Sequence, residues 1–361
     1  MSLLYRYIFS QFSRNLALVI SGLITIYLLV DFFEKIDNFA EAGKSTGLAI
    51  RYLFLKIPLI IDQLLPVCLL LAGVITLGVM NQNREIMALE SAGMSIREIY
   101  APILLAACFF TLLGLFSGEW IVPDTIRETN RIWYEEVRKT QAQGIVRHGR
   151  VFYKGKDGIY SFKRSPKSKE LFIDFHYLTW DADFTMTSQI TAKRAVWQDN
   201  LWQLDNGRIK TISENGRYAI IDFKSRKISL PDQPGEFFVP EYKGEEKSIS
   251  DHLKEALRNG DPDLAAWQEL QRRLSYLFLG IPLVLLGLPV LLIANRRWRQ
   301  DLSLAVPMSC VMAFLAWGWW STAQSMVNAY GFSPAGASWS IHLLTGGLGL
   351  LMINRQSNKP I

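Results

Sequence analysis

The sequence predicts a membrane protein with six transmembrane α-helices and an all-β domain inserted between the third and the fourth. Three observations carry that prediction. Six long apolar runs bracket a single polar block of roughly 120 residues. Short aromatic and β-branched segments, separated by turn residues, fill that block. Basic residues gather at one set of run ends, the charge asymmetry of a multi-pass chain.

The runs are Leu16–Phe33, Tyr52–Met80, Tyr100–Ile121, Tyr276–Ala294, Leu302–Val327 and Trp339–Ile353. A span needs about 20 predominantly apolar residues, because the hydrocarbon core is ~30 Å thick and a helix rises ~1.5 Å per residue. The second run is longer than that, so it projects beyond the membrane or tilts. The last is shorter and Gly-rich. Arg6 and Arg14 precede the first run as in a secretory signal, but Asp31-Phe32-Phe33-Glu34 follows it with no small-x-small cleavage site. It is read as a retained span.

The net charge is +6. In this setting it reflects topology and not nucleic-acid binding. With six spans, Arg6, Arg14, Arg84, Arg97, Arg296, Arg297, Arg299, Arg355 and Lys359 fall on one side. Lys35, Lys44, Arg51 and Lys56 fall in one short loop on the other side, and residues 328–338 there carry no charge. Both termini are therefore expected in the cytoplasm and the polar block outside it. Cys68, Cys108 and Cys310 all lie in apolar runs, so the exported block owes nothing to disulfides.

Within the block, Pro123-Asp124 opens a helix expected over Thr125 to Thr140. Strand signals follow at Val151-Phe-Tyr, Ile159-Tyr-Ser-Phe, Leu171 to Leu178, Ala195-Val-Trp and Leu201-Trp-Gln-Leu. Turns are expected at Lys156-Asp-Gly, Asp199-Asn, Asp205-Asn-Gly and Glu214-Asn-Gly. The spacing reads as a sandwich, roll or open barrel. Pro231, Pro234 and Pro240 mark the exit, a short capped helix starts near Ser250, and Asp261-Pro-Asp opens a helix running through Trp267, Leu270 and Leu274 into the fourth span. The chain divides into 1–123, with three spans and a cytoplasmic helix near 82–95; 124–247, a helix and the β domain; and 248–361, connecting helices and three spans.

No catalytic constellation is visible. His148, His176, His252 and His342 are scattered, no Cys-x-x-Cys occurs, and Gly43-Lys44-Ser45 lacks the first glycine of a phosphate loop, with Asn38 in its place. An enzyme is not expected, and energy for any work must come from elsewhere.

The segment Asn81 to Glu98 predicts a short amphipathic helix. Ile86, Leu89 and Met87 face one side, Arg84, Glu85 and Glu90 stay polar, and Gly93 ends it. Two readings stand: a helix resting on headgroups, or one docked into a cytoplasmic motor. Interfacial helices are usually rich in Lys and Arg. The balance of acids and bases here favours a protein partner.

Arg84-Glu-Ile-Met-Ala-Leu-Glu-Ser-Ala-Gly-Met-Ser resembles the coupling-helix motif of the LptF/LptG lipopolysaccharide-export permeases. Gly118-Glu-Trp-Ile-Val-Pro resembles the family's third-span end, nearer the LptG pattern than the LptF pattern. Arg6-Tyr-Ile, Pro58 and Pro66, and the rhythm Ala195-Val-Trp, Trp202-Gln-Leu, Asn206-Gly are also similar. The resemblance runs through essentially the whole chain in order.

It implies an inner-membrane permease subunit paired with an LptF-like subunit and driven by an LptB-like ATPase dimer. ATP and magnesium would belong to that partner, with no cofactor bound by this chain. Lipopolysaccharide would pass from a cavity between the subunits to a periplasmic β-jellyroll domain and on to an LptC-like jellyroll protein. Glu85 would meet a basic site on the ATPase, with Met87 and Leu89 in apolar contact and Arg84 peripheral. The plainer reading of Glu85 is an acid at the positive end of a helix.

Arg127 and Arg131, four apart on one helix face, would suit lipid phosphates. They would equally suit an ion-pair network with Glu128 and Glu135. Lys35 falls where the family holds lipid-contacting lysines, or serves as an interface anchor, while Asp31 stands at a position that is basic in the family. Asp62 and Glu119 are the acids nearest membrane depth. The alternatives are an LptF-type subunit, a mechanotransmission permease that carries no lipid itself (usually four spans), and a membrane-anchored tether.

Overall fold

Each apolar run becomes a helix, and the helices overshoot the runs. A computed structural model describes residues 3–138, 144–147, 150–165, 168–181, 185–198, 201–212, 218–234, 237, 246–257, 264–298 and 302–357. Two compact units emerge: Met1–Asn130 with Gly244–Ile361, which holds the long helices, and Arg131–Lys243, which holds the sheet.

In the first unit α1 covers Leu3–Glu41, α2 Thr46–Gln82, α3 Glu85–Ser91, α4 Ile96–Trp120 and α5 Val122–Arg131. After the sheet come α6 Ile249–Ala256, α7 Leu264–Phe278, α8 Gly280–Trp298, α9 Leu302–Tyr330 and α10 Pro334–Ser357. Among the described residues five stretches are long and apolar enough to cross a membrane: α1, α2, α4, Ala265–Ala294 through α7 and α8, and Pro334–Gln356 in α10. The remaining expected span forms α9, whose 29 residues are long enough to cross a bilayer.

α2 lies at the centre, packed against α1, α4, α8 and α9. Small residues let the helices approach closely. A Cβ on Gly280 would come 2.7 Å from Leu69, one on Gly287 2.4 Å from Leu70, and one on Gly349 2.8 Å from the backbone of Leu285. Two buried polar pairs lie inside the bundle. Asn15 Nδ2 donates to Thr76 Oγ1 at 2.9 Å, and Trp320 Nε1 donates to Ser275 Oγ at 2.9 Å.

The turn between α1 and α2 is only residues 42–45. This corrects the expected basic loop: Lys35 lies on α1, and Arg51 and Lys56 lie on α2. The reason is that helical backbone carries charged side chains past the apolar run without breaking its own hydrogen bonds. The helix expected over Thr125 to Thr140 also changes character, since α5 gives way to a π-helical stretch at Ile132–Val137.

The second unit is one antiparallel sheet in sequence order, β1 Gly144–Arg147, β2 Arg150–Lys154, β3 Ile159–Ser165, β4 Ser168–Trp180, β5 Met186–Gln198, β6 Leu201–Ile212 and β7 Tyr218–Ile228. β1 and β7 had no sequence signal strong enough to single them out. Asp205-Asn-Gly is not a turn. It runs inside β6, with Asn206 at φ 52° and the register unbroken from Asp205↔Ser225 to Gly207↔Phe223. A Cβ on Gly207 would meet the Phe223 ring at 2.5 Å, so the glycine is there for close packing. Asp174, at φ 50°, marks a register shift against β3. The turn at Lys156-Asp-Gly is present, whereas those at Asp199-Asn and Glu214-Asn-Gly lie wholly or largely outside the described residues, as do Pro240 and the Asp261-Pro-Asp opening.

Candidate functional site

The segment between α2 and α4 forms a tight elbow. α2 ends at Asn83, whose N–H donates to Val79 O. Arg84 then takes left-handed backbone, φ 63°, and α3 begins. A non-glycine residue there costs roughly 1 kcal/mol, which fixes the direction of α3 at some expense. Gly93, at φ 85°, closes α3 by donating to Glu90 O. Ser95 and Glu98 form a reciprocal capping box that starts α4.

α3 is sided. Ile86 is buried and Leu89 packs partly on the helical core, while Met87 is 64% exposed. The expectation that Met87 shares a face with Ile86 and Leu89 is thus corrected. Consecutive residues sit about 100° apart on a helix, so a seven-residue helix that buries Ile86 turns Met87 outward. Glu85 is held in place. Tyr7 Oη donates to its carboxylate at 3.1 and 3.2 Å, and Asn83 Nδ2 donates at 3.2 Å. The start of α4 is tied to the end of α10 by Arg97 to Asn354 at 3.0 Å and Tyr100 to Gln356 at 3.1 Å. Gln356 in turn donates to Pro289 O of α8 at 2.9 Å. Hydrogen bonds thus join the start of α4 to the end of α10, and α10 to α8.

At the far ends of α1 and α2 the basic residues are engaged. Lys35 Nζ lies 3.0 Å from Asp31 and donates to Tyr52 Oη at 2.7 Å. Lys56 Nζ lies 2.7 Å from the same Asp31 oxygen and sits over the Tyr27 and Tyr52 rings. Asp31 and Lys56 are both buried. The site therefore carries two cations and one anion, and a second Asp31 oxygen has no hydrogen-bond partner. Arg127 pairs with Asp124 at 3.0 Å and reaches Glu246 O at 3.4 Å. Arg131 lies 3.6 Å from Glu136. Glu128 pairs with Arg51 of α2 at 3.1 Å, so the ion pairs link elements as well as neighbours on one helix.

The sequence matches the family model described as "Lipopolysaccharide export system permease LptF/LptG" over residues 6–355. The chain belongs to the LptF/LptG family. Among curated relatives, the lipopolysaccharide export system permease protein LptG of Haemophilus influenzae is 27% identical over 113 residues, 30% of this chain and 32% of that protein. LptG of Escherichia coli K12 is 23% identical over 107 residues, 28% of this chain and 30% of that protein. The chain thus spans about a third of the length of the curated relatives it matches.

In this LptF/LptG-family chain the two deep acids sit where α4 meets α6 and α7. Glu119 accepts from the Ser250 N–H at 3.0 Å. Asp62 and the buried Arg273 both face the space above Gly118, where a Cβ would lie 3.7 Å from each. Sequence reasoning missed Lys56 and Arg273 as buried cations and Tyr7 as the partner of Glu85. The signals were faint. Asp31 and Lys35 stand one helical turn apart at the end of an apolar run, and Lys56 lies inside the next run.

Proposed function

We propose that this chain is an LptG-type permease subunit that extracts lipopolysaccharide from the inner membrane and passes it toward a periplasmic β-sheet bridge. Hydrolysis of ATP by a dimeric LptB-like partner drives the step, and an LptF-like subunit and an LptC-like protein complete the machine. The observation that carries the reading is the elbow: a short helix between two span-length helices, with Met87 outward, Ile86 inward and Glu85 pre-oriented by Tyr7. The family match over nearly the whole chain supports the substrate, and the LptG relatives favour LptG over LptF.

In this reading Glu85 and Met87 meet the ATPase, and Arg84 lies at the edge of the contact. Leu89 anchors α3 to the bundle instead of to the partner. Displacement of α3 moves α4, and through Arg97 and Tyr100 also α10 and α8. Lys35, Arg127 and Arg131 supply positive charge to the phosphates of the headgroup by exchanging their present carboxylate partners. Both termini face the cytoplasm and the sheet faces the periplasm.

The test is coexpression with candidate ATPase and permease neighbours, purification in detergent and mass spectrometry of bound lipid. A complex that retains both the ATPase and lipopolysaccharide is expected. An ATPase complex that never carries lipid would point to mechanotransmission instead.

A further inference from the structure

The chain leaves the first unit after Asn130 and re-enters it at Gly244, so two segments of chain bound the sheet unit. The outgoing one continues α4 almost directly, with only Ile121 between Trp120 and the start of α5 at Val122. The returning one has no such continuity with α4. Residues 246–248 precede α6 and belong to no α-helix or strand, so their backbone groups need partners from elsewhere.

Those partners come from three helices. The buried Arg273 of α7 donates through Nη1 to Lys247 O at 2.5 Å and through Nη2 to Gly118 O of α4 at 3.4 Å. Asn130 of α5 donates to the Glu246 carboxylate, and Arg127 Nη2 reaches Glu246 O at 3.4 Å. Glu119, in the last turn of α4, accepts from the Ser250 N–H at 3.0 Å, a first-turn donor that α6 cannot satisfy itself. Arg273 thus bonds the returning chain and α4 with separate nitrogens. A guanidinium suits that task, because its five donors form a planar fork, whereas an ammonium is a single point. An apolar side chain of similar volume would fill the space at a lower desolvation cost, but it could not bind carbonyls of two elements.

We propose that Arg273 is a positioning residue for lipid release: it locks the returning chain to the C-terminal end of α4, so that a displacement of α3 and α4 carries both segments that bound the sheet unit. α4 begins in the elbow, at the Ser95–Glu98 capping box, and ends at Gly118 to Trp120. Its 25 residues are one rigid element of roughly 37 Å. Coupling between distant sites travels through such elements and the hydrogen bonds at their ends. The outgoing segment follows α4 by covalent continuity, and the returning one follows only while Arg273, Glu119 and Glu246 hold it. The inference rests on the lipid-export reading.

The test uses proteoliposomes holding the complete complex, with purified lipopolysaccharide as probe, and reads ATP hydrolysis and ATP-dependent lipid release side by side. Arg273→Met should leave hydrolysis within about twofold and lower release roughly tenfold. Arg273→Lys keeps the charge and most of the bulk but offers one nitrogen, and should lower release roughly threefold at unchanged hydrolysis. In a chain whose Cys68, Cys108 and Cys310 are replaced by Ala, a short cross-link between Asn130→Cys and Glu246→Cys ties the returning chain to α5 covalently. That cross-link should bring release by Arg273→Met back to within about twofold of the same chain with Arg273 intact. Should Arg273→Met fail to assemble, Arg273→Lys decides by the same comparison. Release equal to that of the unaltered chain in the Arg273 variants would overturn the inference alone. Hydrolysis and release falling by the same factor, with no recovery on cross-linking, would do so too, since a residue that only supports folding gives that pattern. No ATP-dependent release from the unaltered complex would remove the lipid-export reading and this inference with it.

Discussion

α1 and α2 are near twins as sequences and opposites as structures. Their most apolar stretches have mean hydropathies of 2.3 and 2.2, yet 11% of the first is buried against 72% of the second. Hydropathy reports the solvent a helix accepts, not the neighbours it meets. α2 is the hub, its Leu69 and Leu70 side chains packed where a Cβ on Gly280 or Gly287 of α8 would stand. α1 is attached mainly at its two ends, by Ile8, Phe12, Leu16 and the Asn15–Thr76 bond at one, and by Asp31 with Lys56 at the other. Between them Leu18, Ile26, Leu29 and Val30 face outward.

The largest expected effect lies where the two helices are joined by charge. Asp31→Asn leaves the buried Lys56 beside the half-buried Lys35 without their shared carboxylate, at a cost of roughly 3–5 kcal/mol. Thermal unfolding in detergent should shift sharply downward, and Asp31→Asn combined with Lys56→Met should recover part of the loss. An unchanged melting curve would mean that the cluster does not hold α1.

Next comes packing. Leu70→Ala in α2 removes a fully buried side chain and should cost ~2–5 kcal/mol, whereas Leu29→Ala in α1, 57% exposed, should change stability by less than about 0.5 kcal/mol. If a partner subunit covers α1, Leu29→Ala becomes costly only in the complex, which sharpens the contrast. Smaller still, Arg84→Gly should stabilise the elbow by roughly 1 kcal/mol through relief of left-handed backbone.

The smallest effect is a control away from both helices. Burial, then the neighbouring Arg150, holds the His176 imidazole below its ordinary pKa of 6.5. The unfolded chain therefore binds this proton more readily. The contribution of His176 is complete above about pH 6.5 and is lost as pH falls from there toward the lowered folded value. His176→Gln should flatten the acid limb of stability against pH for the sheet without touching α1 or α2.

Much of this was legible before any coordinates. The apolar runs located the long helices because a bilayer demands uninterrupted apolarity. Gly93 marked the end of α3 because positive φ favours glycine. What escaped depended on distance in sequence. Tyr7 meets Glu85 across 78 positions, and Lys56 meets Asp31 across 25, with no local pattern to announce either. β7 escaped because its side chains are nearly all exposed, so it lacks alternation. Asn206-Gly207 misled because the same dipeptide that makes a hairpin turn can also let Phe223 lie flat on a strand. Pro58 and Pro66 did not stop α2, because its surroundings hold the helix together around them.

The central claim is that the α3 elbow converts work done by a partner ATPase into movement of lipid. The most direct measurement is ATP-dependent release of lipopolysaccharide from proteoliposomes holding the complete complex, with Glu85 intact or replaced as Glu85→Lys. The account predicts that Glu85→Lys lowers release by roughly tenfold or more and weakens ATPase retention on purification, while the melting temperature of the permease stays within a few degrees. Release and retention equal to those of the unaltered protein would contradict it.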